Sequence, residues 1–106
     1  KRVGIKIKRE KFKNPSEAKA RLDENLARNN PVGLQVGVYN LTYFPDEYRF
    51  HFNAHNLVVY GKDKNSYLIS DPIMEQVTSL TEKELEKVRF AKGAFAPKGH
   101  IYYPID

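Results

Sequence analysis

A chain of 106 residues is one domain or a part of one, with room for only a modest core. Apolar residues at 41% and charged residues at 29% exclude a disordered polymer, and no apolar run approaches the roughly 20 residues of a membrane span. The absence of cysteine excludes a disulfide scaffold and a thiolate metal site, and it suits a reducing, cytoplasmic setting.

The net charge of +5 is unevenly spread, because seven of the 18 Lys and Arg residues fall within residues 1–13 beside a single acid, Glu10. Such a cluster either steers an acidic partner or keeps a solvated strand edge from pairing with another chain. Met74 is the only methionine and the sequence opens on Lys1, so a processed product, an excised domain or one part of a longer protein is expected.

In chain order, Val3, Ile5 and Ile7 alternate with Gly4, Lys6 and Lys8, the period of a half-buried strand. Asn14-Pro-Ser-Glu17 reads as a helix start, with Asn14 as cap and Pro15 at the first helical position. Ala18, Leu22 and Leu26 give that helix a narrow buried stripe, and Asn29-Asn30-Pro31 ends it. Val32–Tyr39 predicts a strand with Val32, Leu34, Val36 and Val38 on one face. Gly33 and Gly37 leave the other face nearly bare, open to a neighbouring backbone or a substrate, and Gln35 on that face points into a cleft or is buried in a hydrogen bond. Residues 40–50 form an aromatic loop broken by Pro45; it covers the core or lines a ligand cleft, and Tyr39 and Tyr43 are candidates for the lining.

Residues 55–71 read as a hairpin about Gly61-Lys-Asp-Lys-Asn65. Centred on Asp63, it sets Val59 against Tyr67, Leu57 against Ile69 and His55 against Asp71. Directly opposed residues have β-carbons about 4.5–5.5 Å apart, within reach of a carboxylate–imidazole bond. An aspartate there fixes the tautomer and orientation of the ring, as the base and orienter of a nucleophilic triad do. A strand histidine beside an Asp-Pro turn has the same spacing, so spacing alone leaves both readings open. Asn53 and Asn56 flank His55, with Asn56 on the opposite face and Asn53 a candidate for the substrate path. His51 and His55 would sit about 13 Å apart on a strand, which argues against a shared metal.

Further on, Thr81 and Glu84 form a capping box with Leu80 and Leu85 as a hydrophobic staple, and the helix is expected to run to about Lys92 and stop at Gly93. His100–Ile105 closes the series as an edge strand, because Pro104 cannot donate to a ladder; His100 carries no assigned role. The order strand, helix, strand, hairpin, helix, strand predicts an α+β domain with a largely antiparallel sheet.

Gly33-Leu-Gln-Val, Tyr39-Asn-Leu-Thr-Tyr-Phe-Pro45, His55-Asn-Leu-Val-Val-Tyr-Gly61 and Tyr67-Leu-Ile-Ser-Asp-Pro72 together resemble the second half of the papain-like cysteine peptidase fold. They are similar to bacteriocin-processing peptidases that cut double-glycine leaders, and more closely to the N-terminal domain family of butirosin biosynthesis protein H. The likeness covers about residues 30–73. It implies a papain-like second half in which His55 is the base and Asp71 its orienter. No cofactor is implied. The family's nucleophilic cysteine has no counterpart in this chain, so association with a nucleophile-bearing N-terminal half is expected, unless the chain is a non-catalytic module of the same fold. The likeness further implies acyl transfer in bacterial antibiotic biosynthesis, from an acidic acyl carrier protein to a small-molecule amine. Nucleic acid is not an expected partner, since the basic residues lie away from the aromatics and no RNA-binding signature appears.

Overall fold

The computed structural model describes residues 6–45, 55–72, 77–93 and 96–105. Its elements run β1 (Lys6–Glu10), α1 (Pro15–Ala27), β2 (Val32–Val36), β3 (His55–Asp63), β4 (Ser66–Ser70), β5 (Thr78–Thr81), α2 (Glu82–Arg89) and β6 (Ile101–Ile105). The described strands form one sheet in the order β1-β6-β2-β3-β4-β5, every pair antiparallel. Leu22 of α1 and Leu85 and Val88 of α2 share a buried cluster with Val32, Leu34 and Val36 of β2, Leu57 and Val59 of β3, and Tyr67 and Ile69 of β4. Both helices therefore cover the same face of the sheet. Each such side chain, fully buried, contributes about 1.5–3 kcal/mol, so this face supplies most of the driving force. The fold is α+β.

Local chemistry explains the helices. Asn14 caps α1 by accepting from the Ser16 amide at 2.7 Å, and Asn29, at φ 61°, turns the chain out of the helix before Pro31 is reached. Thr81 and Glu84 close the capping box of α2 from both sides, at 3.1 and 2.8 Å, with Leu80 and Leu85 both buried. Arg89, 2% exposed, donates to the Ala18 and Gly99 carbonyls and so ties α2 to α1 and to the turn before β6. Burial lowers its guanidinium to about 10.

Several expectations are corrected. β2 stops at Val36, because the Gly37 amide leaves the ladder to bond the Val88 carbonyl; Val38 and Tyr39 lie in a turn. The bare face at Gly33 receives the Tyr102 ring, with which a β-carbon would collide. β6 is internal, between β1 and β2, and Pro104 is accommodated because it lies past the stretch paired with β2 and has only β1 beside it. β5 has no sequence signal of its own, since Leu80 and Thr81 read only as a helix entry. α2 ends at Arg89 rather than Lys92, with Phe90 as its cap. β1 is an edge strand whose Lys6, Ile7, Lys8 and Arg9 are exposed, and Ile7 faces Pro104 rather than the core.

The hairpin also differs. Pairing runs through Gly61 and Asp63 to a two-residue turn at Lys64-Asn65, with Lys64 at φ 58°. Asp63 pairs with Ser66, Lys62 with Tyr67 and Gly61 with Leu68; then Tyr60 bulges out and Val59 pairs with Ile69.

Thr81→Ala, which removes one half of the capping box, should lower stability by about 1 kcal/mol in urea unfolding, and Thr81→Ser should restore it.

Candidate active site

Three structural units converge where β2 and β4 end and β3 begins. His55 is the first residue of β3 and pairs with Val36, the last of β2. Asp71 follows β4 directly and continues its inward alternation after Tyr67 and Ile69. The third unit is the segment after β2, two successive turns closed by Leu41 N–H to the Val38 carbonyl and Phe44 N–H to the Leu41 carbonyl. Thr42 fastens this segment to α2 by donating to Glu84 at 3.4 Å.

His55 Nε2 lies 2.6 Å from Asp71 Oδ2, with the two side chains 9% and 0% exposed. Against a carboxylate oxygen that nitrogen is the one that carries hydrogen, which leaves Nδ1 as the ring's basic nitrogen. The Tyr43 hydroxyl donates to the same Oδ2, also at 2.6 Å. Phe44 stands edge-on to both rings, 5.3 Å from Tyr43 and 5.3 Å from His55. Taking a carboxylate out of water costs several kcal/mol, and bonds to a charged acceptor return about 1.5–3 kcal/mol each. Burial, reinforced by the bond to Asp71, holds the Tyr43 phenol above its ordinary value.

His55 and Asp71 are thus brought together, but not as directly opposed residues. Beyond the Tyr60 bulge the register pairs Val58 with Ser70, and one step further it sets Asp71 across from Leu57. His55 reaches Asp71 on the diagonal, where β-carbons stand somewhat under about 7–8 Å apart and an imidazole spans the gap. The side-chain oxygen of Gln35 accepts from His100 Nδ1 at 2.7 Å on the sheet face opposite His55, joining β2 to the entry of β6. Burial, and then Lys11 and Arg9, hold the His100 imidazole below its ordinary value. Tyr39 is half exposed in the turn after β2. Tyr43 supports the carboxylate, a task the sequence reading did not give it, and nothing in its spacing signals a bond across 28 residues. Asn53 lies outside the described residues. Two hollows, one lined by Leu22, Glu82 and Arg89 and the other by Asp23, Leu26 and Lys62, share no residue with this cluster.

Residues 1–72 match the family model described as butirosin biosynthesis protein H, N-terminal. Among solved structures, a chain described as a C39-like peptidase from Bacillus anthracis superposes with a TM-score of 0.66 at 16% identity. The match covers 96% of this chain and 52% of that one, so the sequence spans about half the length of that neighbour. No curated protein matches. The likeness gives the fold: a papain-like α+β arrangement. Among the described residues, no helix is long and apolar enough to cross a membrane.

Tyr43, half-buried against Asp71, and Tyr67, buried against Asp23, both have phenols raised above the usual value of about 10. Their contribution to stability is complete below the unfolded value and is lost as pH rises toward the folded one. The thermal midpoint, followed by circular dichroism, should therefore decline above about pH 10, and less steeply in Tyr43→Phe.

Proposed function

The chain belongs to the butirosin biosynthesis protein H, N-terminal, family, and on that footing we propose that it supplies the histidine and aspartate of a papain-like acyl-transfer site. Family and fold make it a domain of papain-like peptidase or acyltransferase type. The single observation that supports the finer reading is the 2.6 Å bond between His55 Nε2 and Asp71 Oδ2.

With Nε2–H held by the carboxylate, Nδ1 takes the proton. It first removes a proton from a cysteine thiol, and the thiolate attacks the acyl carbonyl and expels the leaving thiol, to which His55 returns the proton. In the second half-reaction an amine attacks the acyl-enzyme, Nδ1 receives the amine proton, and the cysteine leaves. Asp71 holds the ring in one tautomer throughout and stabilises the imidazolium while it exists. The 106 residues contain no cysteine, so the nucleophile comes from outside them. The donor fitting this reading is a thioester on an acidic acyl carrier protein, and the acceptor a small amine. Lys6, Lys8 and Arg9, exposed on β1, and the exposed Lys11 after it offer the carrier a basic edge. That strand stands three ladder spacings from β3, about 14 Å, a span the thioester arm has to bridge.

A second reading, a non-catalytic module of the same fold, is favoured by the missing cysteine. It gives His55 no chemical work.

In the cysteine-bearing protein, His55→Gln should lower turnover of a model acyl thioester by about 10²–10⁴-fold with the circular dichroism spectrum unchanged. Turnover at the wild-type level would favour the non-catalytic module. Reversing the charge of Lys6, Lys8 and Lys11 should slow transfer from a carrier protein at low salt and leave the rate at high salt unchanged, because exposed charges are screened there. Equal rates at low salt would remove the carrier from this edge.

A further inference from the structure

Asp71 Oδ2 accepts from two side chains at the same 2.6 Å distance, the His55 ring and the Tyr43 hydroxyl. A triad needs only the first of these. The second comes from a different structural unit, the turns after β2, while Asp71 and His55 belong to the β3–β4 hairpin. We infer that Tyr43 is a positioning residue of this site, whose hydroxyl shares Asp71 Oδ2 with His55 and thereby sets how firmly the carboxylate holds the imidazolium. The inference rests on the His55–Asp71 reading given above.

A carboxylate oxygen has a finite charge to share between its donors. Donation from Tyr43 withdraws part of that charge, so the imidazolium beside it is held less strongly than the same buried carboxylate would hold it without that donor. A base locked in its protonated form cannot accept a proton from a nucleophile, so this moderation serves the chemistry. The hydroxyl also helps to fix the orientation of Asp71, because it reaches the carboxylate from a structural unit outside the hairpin. Phe44, edge-on to Tyr43 and His55, keeps both rings turned toward the shared oxygen. Among the described residues, the titratable groups that face the imidazole are Asp71 from the end of β4 and Tyr43 from the turn. From α2, Glu84 faces the same turn through Thr42. A role confined to packing would be preserved by phenylalanine.

The test follows the His55 ring by long-range proton–nitrogen correlation in the labelled chain, in the wild type, Tyr43→Phe, Asp71→Asn and the double variant. Tyr43→Phe should retain the Nε2–H tautomer and raise the His55 titration midpoint by about half a pH unit or more. In the Asp71→Asn background the same change should leave the midpoint where it was, as the double-mutant cycle requires if the effect passes through the carboxylate. Tyr43→Leu, which also lacks the hydroxyl, should move the midpoint in the same direction. An unchanged or lowered midpoint in a folded Tyr43 variant overturns the inference, and so does an equal shift in the Asp71→Asn background. In the cysteine-bearing protein, the acid limb of the kcat profile should move with the midpoint while KM stays constant. If His55→Gln keeps full turnover while the midpoint still moves, the catalytic reading fails and the coupling stands. If His55→Gln abolishes turnover while the midpoint stays fixed, the coupling alone fails.

Discussion

One carboxylate oxygen holds this arrangement together. Asp71 has no exposed side-chain surface, and an ionised group in that position survives only when donors replace its water. Tyr43 and His55 do so at Oδ2, and each comes with a structural unit attached: the turns after β2 in one case, the start of β3 in the other. Those turns are in turn bound to α2 by the Gly37–Val88 backbone bond and by Thr42 with Glu84. Removing the carboxylate would therefore release two aromatic rings and the packing of Phe44 between them. Leaving the carboxylate and removing one of these donors would take a bond worth about 1.5–3 kcal/mol from a buried charge.

The meeting of His55 with Asp71 depends on one extra residue. From the Lys64-Asn65 turn outward, the register pairs Lys62 with Tyr67 and Gly61 with Leu68, and partners in an antiparallel pair share a face. Continued without interruption, that register would set Asp71 across from Val58, whose side chain lies on the face opposite His55. The bulge at Tyr60 shifts the register by one, so that Val59 meets Ile69 and the residue across from Asp71 becomes Leu57, on the face of His55. A one-residue shift exchanges the faces of a strand, which is why a bulge can aim a side chain that the turn alone would misdirect.

That history explains what the sequence allowed to be read. The buried faces of β2 and β3, the Asn14 cap and the Thr81–Glu84 box follow from local spacing, and local spacing is visible in a sequence. The proximity of His55 and Asp71 was also visible, but through a symmetric hairpin centred on Asp63 that does not form. Gly61, Asp63 and Asn65 all suit turns, yet the chain places its left-handed residue at Lys64, and nothing local marks Tyr60 as the bulged position. The direct opposition expected from the symmetric hairpin and the diagonal contact in the fold differ by two residues, an even number, so the side of the sheet came out the same. Tyr43 could not be read, because its bond to Asp71 is set by where two turns are packed against α2. The interior position of β6 was hidden for a similar reason: Pro104 signals an edge, and only the limited overlap with β2 shows that an internal strand accommodates it.

The hairpin is held at both ends, and by unequal means. Near its turn, the Tyr67 hydroxyl donates to Asp23 at 2.6 Å, and Lys62 bridges Asp23 and Glu82 at 3.3 and 2.7 Å. Ion pairs with this much exposure contribute about 0–1 kcal/mol each, so they are not what fixes the register. A slip by one residue would instead turn Tyr67, Ile69 and Asp71 outward together, giving up the burial of two large apolar side chains, worth about 1.5–3 kcal/mol each, and the bonds from His55 and Tyr43 to Asp71. The register that the core selects is therefore the register that places the carboxylate beneath the imidazole. Site geometry here is inherited from hydrophobic packing several residues away, and the polar contacts at Asp71 refine an alignment they did not have to create.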